Sequence, residues 1–206
     1  MRIQMLGAFI VTIMLGVSAT FAQQPPAGAP GGGGQGRGPG RGPQTPPLIM
    51  TTTAFEDGAI IPAKYAGQMG VSPELKWTQV PMGTQTFLLL MHDPDVALQR
   101  STLDVTHWII WNIPGTATGL PEGVMPNAEL PDGSRQVSLR SSGYMGPGAP
   151  ATGPYHHYTF ELYALDTKLD VPAGTPQEAA ATRAALMKAI DGHALSKAVI
   201  VGRFHQ

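Results

Sequence analysis

Beyond residue 47, hydrophobic and polar positions follow two different patterns. Residues 85–91 (QTFLLLM) and 107–113 (HWIIWNI) are apolar almost without interruption. Runs of that length belong to strands covered on both faces. On simple alternation His107, Ile109, Trp111 and Ile113 share one face of the second run, and Trp108, Ile110 and Asn112 take the other. Residues 156–166 (HHYTFELYALD) instead alternate. His156, Tyr158, Phe160, Leu162 and Ala164 form a mostly apolar face that points into a core. Tyr155, His157, Thr159, Glu161, Tyr163 and Leu165 form a mixed, wetter face. The two adjacent histidines are therefore inequivalent: His156 heads the buried face and His157 meets solvent.

Shorter elements surround these three. Residues 48–55 (LIMTTTAF) read as a β-branched strand. A turn at Glu56-Asp57-Gly58 leads to a short extended piece ending at Pro62, and residues 64–77 read as loop with short strand pieces. Residues 116–143 are polar and turn-rich, a long loop of the kind that is functional or variable. One helix is expected near the end. Thr175 caps it, Pro176 suits its first turn and Glu178 completes a capping box. Leu186 and Ile190 recur at helical spacing before a terminating Gly192. Residues 197–204 (KAVIVGRF) close the chain as a strand. These elements predict a mainly β fold, an antiparallel β-sandwich or barrel with long loops and a peripheral C-terminal helix.

Composition adds an N-terminal organisation. Residues 1–22 (MRIQMLGAFIVTIMLGVSATFA) have the layout of a signal peptide, with Arg2, an apolar run and a Thr-Phe-Ala cleavage site. The run is short and glycine-interrupted, so no stable membrane span is expected after cleavage. Residues 23–47 are a Pro/Gly-rich stretch with nothing larger than Ala among its apolar positions, read as a disordered linker. The domain is thus residues 48–206, exported to the periplasm or secreted. The absence of Cys excludes disulfides and thiolate metal sites. Removing Arg2, Arg37 and Arg41 from the 13 basic residues leaves 10 against all 14 acidic ones, a net of −4 over residues 48–206. A mildly acidic domain has no electrostatic reason to seek nucleic acid.

Three strand ends carry polar groups where apolar faces stop: Asp93, His107 and His156. If those ends converge, a carboxylate and two imidazoles surround a pocket roofed by Gly146-Pro147-Gly148-Ala149-Pro150, with Tyr158 adding a hydroxyl. Backbone N–H groups of such a loop can face an anion, and Asp93 favours protonated histidines. Asp95 is expected to organise the turn, and Trp108 and Trp111 to be core.

The motifs SPELKW from Ser72, FLLLMHDPD from Phe87, HWIIWNIPG from His107, and GPGAP with HHYTFELYALD from Gly146 resemble those of the phosphatidylethanolamine-binding proteins. The likeness is to the bacterial, Raf-kinase-inhibitor-like branch, and it runs from Leu48 to Phe204. It implies a β-sandwich with a small anion pocket formed by Asp93, His107, Pro150, His156 and Tyr158, with the backbone near Gly148. Three features depart from the family pattern. Ala149-Pro150 stands where two prolines are usual, residues 67–70 replace an Asn-Gly-rich segment, and the C-terminal helix has no pocket-closing tyrosine.

The leading expectation is a non-catalytic binding protein for a phosphate-bearing small molecule or phospholipid headgroup, with no cofactor and no bound metal. One alternative is a hydrolase in which Asp93, His107 and His156 hold a divalent metal. Another, implied by the resemblance, is an inhibitor of a protease or kinase acting through surface loops such as 116–143. An intracellular kinase does not suit an exported protein.

Overall fold

The computed structural model describes residues 46–68 and 70–206. The expected signal peptide and all of the linker but its last two prolines lie outside the described residues. Two antiparallel sheets make the domain. The smaller has the order β1 (Ile49–Thr51), β2 (Leu75–Thr78) and β5 (Gly119–Leu120). In the larger, β6 (Arg135–Val137), β4 (Val105–Pro114), β3 (Thr86–Asp93), β7 (His156–Leu165) and β8 (Ala194–Phe204) follow in space. The helix α1 (Ala179–Ala189) completes the described elements, preceded by a 3₁₀ turn at Pro176–Glu178. The fold is mainly β, with no closed barrel.

The large sheet is buried on both faces over most of β3 and β4, which is why the middles of those strands are apolar. One face packs on the small sheet, joining Phe87, Leu89, Met91, Trp108, Ile110 and Phe160 to Leu75 and Trp77. The other carries Leu88, Leu90, Ile109, Trp111, Tyr163 and Leu165 under Leu186 of α1 and Ile190, which caps its C-terminal end. The expected wet face of β7 is therefore wet only at its first half. Helix α1 and Leu169 cover Tyr163 and Leu165. The capping box that starts this helical segment is formed, with the Thr175 N–H donating to Glu178 Oε2 at 3.0 Å.

Simple alternation fails in β4. On β3, Leu89 faces Ile110 but Phe87 faces Ile113, so β4 carries an extra residue there. Asn112 takes φ of 57° at this bulge. Ile113 is thereby turned to the core of Trp108 and Ile110, away from Ile109 and Trp111. A second extra residue is His107, since Met91 faces Trp108 and His92 faces Thr106. Three boundaries also differ from the sequence expectation. The first strand is only three residues long, because Thr52 turns its hydroxyl to the Glu74 carbonyl. Residues 194–196 extend β8. The 116–143 loop contains β6, whose Gln136 receives the Trp108 Nε1–H at 2.8 Å.

Asn112 locks its bulge from the side. Its amide donates to the Leu169 carbonyl at 2.9 Å and accepts the Leu169 N–H at 2.8 Å, both buried. Asn112→Ala leaves both backbone groups unpaired and keeps the unfavourable φ. We expect a loss of about 2–4 kcal/mol in urea unfolding with an unchanged m-value; a loss below about 0.5 kcal/mol contradicts this account.

Candidate functional site

At one end of the large sheet β3 finishes, β4 begins and β7 begins. Their termini enclose a cavity of about 500 Å³. Asp93, His107, Gly148, Pro150, His156 and Tyr158 all line it, so the structure brings the six sequence-chosen residues together. The remaining wall is largely apolar: Val96 and Leu98 from the loop after β3, Val105, Leu139 and Met145. Arg140, exposed and without an ion-pair partner among the described residues, stands at the rim.

The His107 bulge is built by a second strand-like contact. Met145 donates its N–H to the His107 carbonyl at 2.9 Å, and the His107 Nδ1 meets the Met145 carbonyl at 2.9 Å. Met145 is held in turn by the loop that follows it. The Gly146 N–H bonds the Gly67 carbonyl at 3.0 Å, and the Gly67 N–H bonds the Pro147 carbonyl at 2.7 Å. A Cβ on Gly146 would lie 2.3 Å from the Tyr65 carbonyl oxygen, so only glycine fits this crossing. The bulge turns His107 edge-on to the Tyr158 ring, with centroids 5.0 Å apart. His107 thus joins the side of Tyr158 and Trp108, not the Ile109 face assigned by alternation.

Asp93, His156 and Tyr158 are each held by partners within the protein. His156 Nδ1 lies 2.8 Å from Asp93 Oδ2, and Asp93 Oδ1 accepts the Asp95 N–H at 3.0 Å. Asp93 thus holds the turn, whereas the Asp95 carboxylate, expected to organise it, instead accepts the His157 N–H of β7 at 2.6 Å. His157 is exposed beside it. The Tyr158 hydroxyl oxygen accepts N–H groups from both Gly148 and Ala149 at 3.1 Å. Those amides are therefore occupied by Tyr158 instead of facing the cavity, contrary to the anion-nest expectation. With its oxygen doubly engaged, the phenol keeps its own proton to donate. Burial pushes the Tyr158 pKa up, which keeps that proton in place.

The expectation of a protonated His107 is also corrected. Burial lowers its pKa, and this outweighs the Met145 carbonyl and the Asp93 charge, which both act to raise it. The metal alternative lacks its ligand set. Asp93 and both Nδ1 atoms are engaged with protein groups, and among the described residues no three His, Asp or Glu side chains are disposed to hold an ion. Sequence reasoning missed the apolar wall and Arg140. Only the isolated arginine in SLRSSG, inside a long loop, pointed that way.

Two outcomes follow. Tyr158→Phe removes the acceptor for two amides, so hydrogen exchange at Gly148 and Ala149 should accelerate by about tenfold or more while β7 stays protected. Unchanged exchange there would show that the hydroxyl does not hold the loop. For His107 the folded value lies below the ordinary 6.5, so the unfolded chain takes the proton first. Its stabilising contribution is complete above pH 6.5 and is lost as pH falls from there toward the folded value. His107→Gln should flatten that acid limb in urea unfolding between pH 7 and about 5; an identical limb in the variant would assign it elsewhere.

The model of the phosphatidylethanolamine-binding protein family matches residues 51–205. A UPF0098 protein of Methanothermobacter thermautotrophicus is 38% identical over 161 residues, covering 76% of this chain and 98% of that one. Among solved structures, a phosphatidylethanolamine-binding protein homologue from Chlamydia trachomatis aligns with a TM-score of 0.62 at 28% identity, over 78% of this chain and 98% of that one. Escherichia coli YbcL, described as a member of the mammalian family, aligns with a TM-score of 0.65 at 26% identity, over 77% and 98% of the two chains. The chain belongs to the phosphatidylethanolamine-binding protein family.

Proposed function

We propose that this member of the phosphatidylethanolamine-binding protein family is an exported, non-catalytic binding protein for a phosphate-bearing small molecule or headgroup. Family membership supports a binding role in general. The observation that carries the anionic ligand is the buried Asp93 carboxylate 2.8 Å from His156 Nδ1. The Asp93 carboxylate accepts the Nδ1–H of His156 and orients the ring; in the doubly protonated ring the Nε2–H is a charge-assisted donor. Tyr158 supplies the second donor, and Arg140 draws anions to the rim over longer range. Export is supported by the signal-like pattern of residues 1–22.

Asp93 and His156 resemble two members of a hydrolytic triad, but among the described residues no Ser, Thr or Cys side chain lines the cavity to complete one. Calorimetric titration with phosphoethanolamine tests the proposal. His156→Ala should abolish binding. Arg140→Ala should weaken it by about two- to fivefold and reduce its salt dependence. His157→Ala should leave it within about threefold, as expected of an exposed pair. Equal binding by the wild type and His156→Ala would defeat the proposal.

A further inference from the structure

The polar atoms bordering the cavity are not equivalent, and His107 differs from the others. Its Nδ1 faces the Met145 carbonyl oxygen at 2.9 Å, and a carbonyl oxygen only accepts. The ring proton therefore sits on Nδ1, and the ring's other nitrogen, Nε2, carries a lone pair. Among the described residues that nitrogen has no hydrogen bond of normal geometry, the Gly146 backbone acting on the ring more weakly than Met145, and the ring, 5% exposed, borders the cavity. Burial works against a second proton on the ring. Asp93, beside it, is an acceptor at both oxygens. Tyr158 offers a donor to a ligand, and so does His156 when its ring carries both protons, whereas His107 offers an acceptor. An anion with oxygens on every side would set one lone pair against another there, leaving a buried acceptor unpaired.

We infer that His107 is a specificity-determining residue: its Nε2 lone pair selects ligands that carry a hydrogen-bond donor beside the anionic group and rejects anions that carry none. This rests on the anion-binding proposal above. Two kinds of ligand supply the donor. One is a phosphomonoester in its singly protonated form, through P–OH. The other is a phosphodiester bearing ethanolamine, through its ammonium group. Methyl sulfate and dimethyl phosphate match the shape and charge of the first but have no donor.

The test titrates the full chain calorimetrically with methyl phosphate, glycerophosphoethanolamine, dimethyl phosphate and methyl sulfate at pH about 6, where a phosphomonoester still holds its second proton in good part. Methyl phosphate should bind at least about tenfold more tightly than methyl sulfate or dimethyl phosphate. Glycerophosphoethanolamine binding above dimethyl phosphate identifies the ammonium as a second acceptable donor; equality between them restricts the donor to P–OH. His107→Gln can turn an amide N–H toward the ligand, so it should bring the four affinities to within about threefold. Equal wild-type affinity for methyl phosphate and methyl sulfate, both lost in His156→Ala, overturns the inference and leaves the anion proposal standing. Persistence of the tenfold ratio in a folded His107→Gln variant overturns the assignment to His107. If none of the four binds, both proposals fall.

Discussion

Strand β4 carries two more residues than β3 can pair, and much of the domain is arranged around accommodating them. A strand buried on both faces has no solvent side on which to discard a misplaced residue. Each extra residue is instead fixed by a partner outside the sheet. At Asn112 the side-chain amide engages both backbone groups of Leu169, which pins the chain leading toward α1. At His107 the carbonyl and the ring engage Met145, which pins the loop over the cavity. One bulge therefore anchors the helix layer and the other builds the site. The same irregularity that breaks the strand pattern sets the His107 imidazole against the cavity.

The site is ordered by giving each histidine one internal partner and leaving one nitrogen over, while Asp93 is engaged at both oxygens and Tyr158 keeps only its proton. Met145 takes one nitrogen of His107, Asp93 takes one nitrogen of His156, and two loop amides take the lone pairs of Tyr158. Each arrangement fixes a rotamer and a proton position before a ligand arrives, which lowers the ordering cost of binding. It also removes options. Asp93 cannot approach a metal without releasing His156 and the Asp95 amide, and the Gly148 and Ala149 amides cannot turn to an anion without releasing Tyr158. Rigidity and selectivity share one cause here.

What was legible in the sequence followed from burial and local chemistry. FLLLM had to be a doubly covered strand, the alternation of β7 separated His156 from His157, and Thr175 with Glu178 marked the helix start. The convergence of Asp93, His107 and His156 was legible because all three stand where apolar runs meet turns. Alternation could not reveal the bulges, since an extra residue leaves no trace in a run that is apolar throughout, and so His107 was assigned to the wrong face. The three-residue β6 lay hidden in a polar loop because its Gln136 is buried through hydrogen bonds instead of hydrophobicity. The amides of the glycine-rich loop were visible, but their partner, a tyrosine ten residues on, was not.

Residues 92 and 93 show how the layers meet at the site. Adjacent strand residues face opposite ways, so Asp93 enters the cavity while His92 enters the helix side. There His92 Nδ1 lies 2.8 Å from Asp104 Oδ2, and Asp104 also receives Arg183 from α1. Asp104 and Asp95 bracket the loop that carries Val96 and Leu98, two of the apolar walls. One end of that loop is therefore tied to the helix through Asp104 and the other to β7 through Asp95 and His157. Both ties fix ends of a loop that walls the cavity, although neither Arg183 nor His92 borders it. A helix that was legible as a peripheral element is in this respect a structural support of the site.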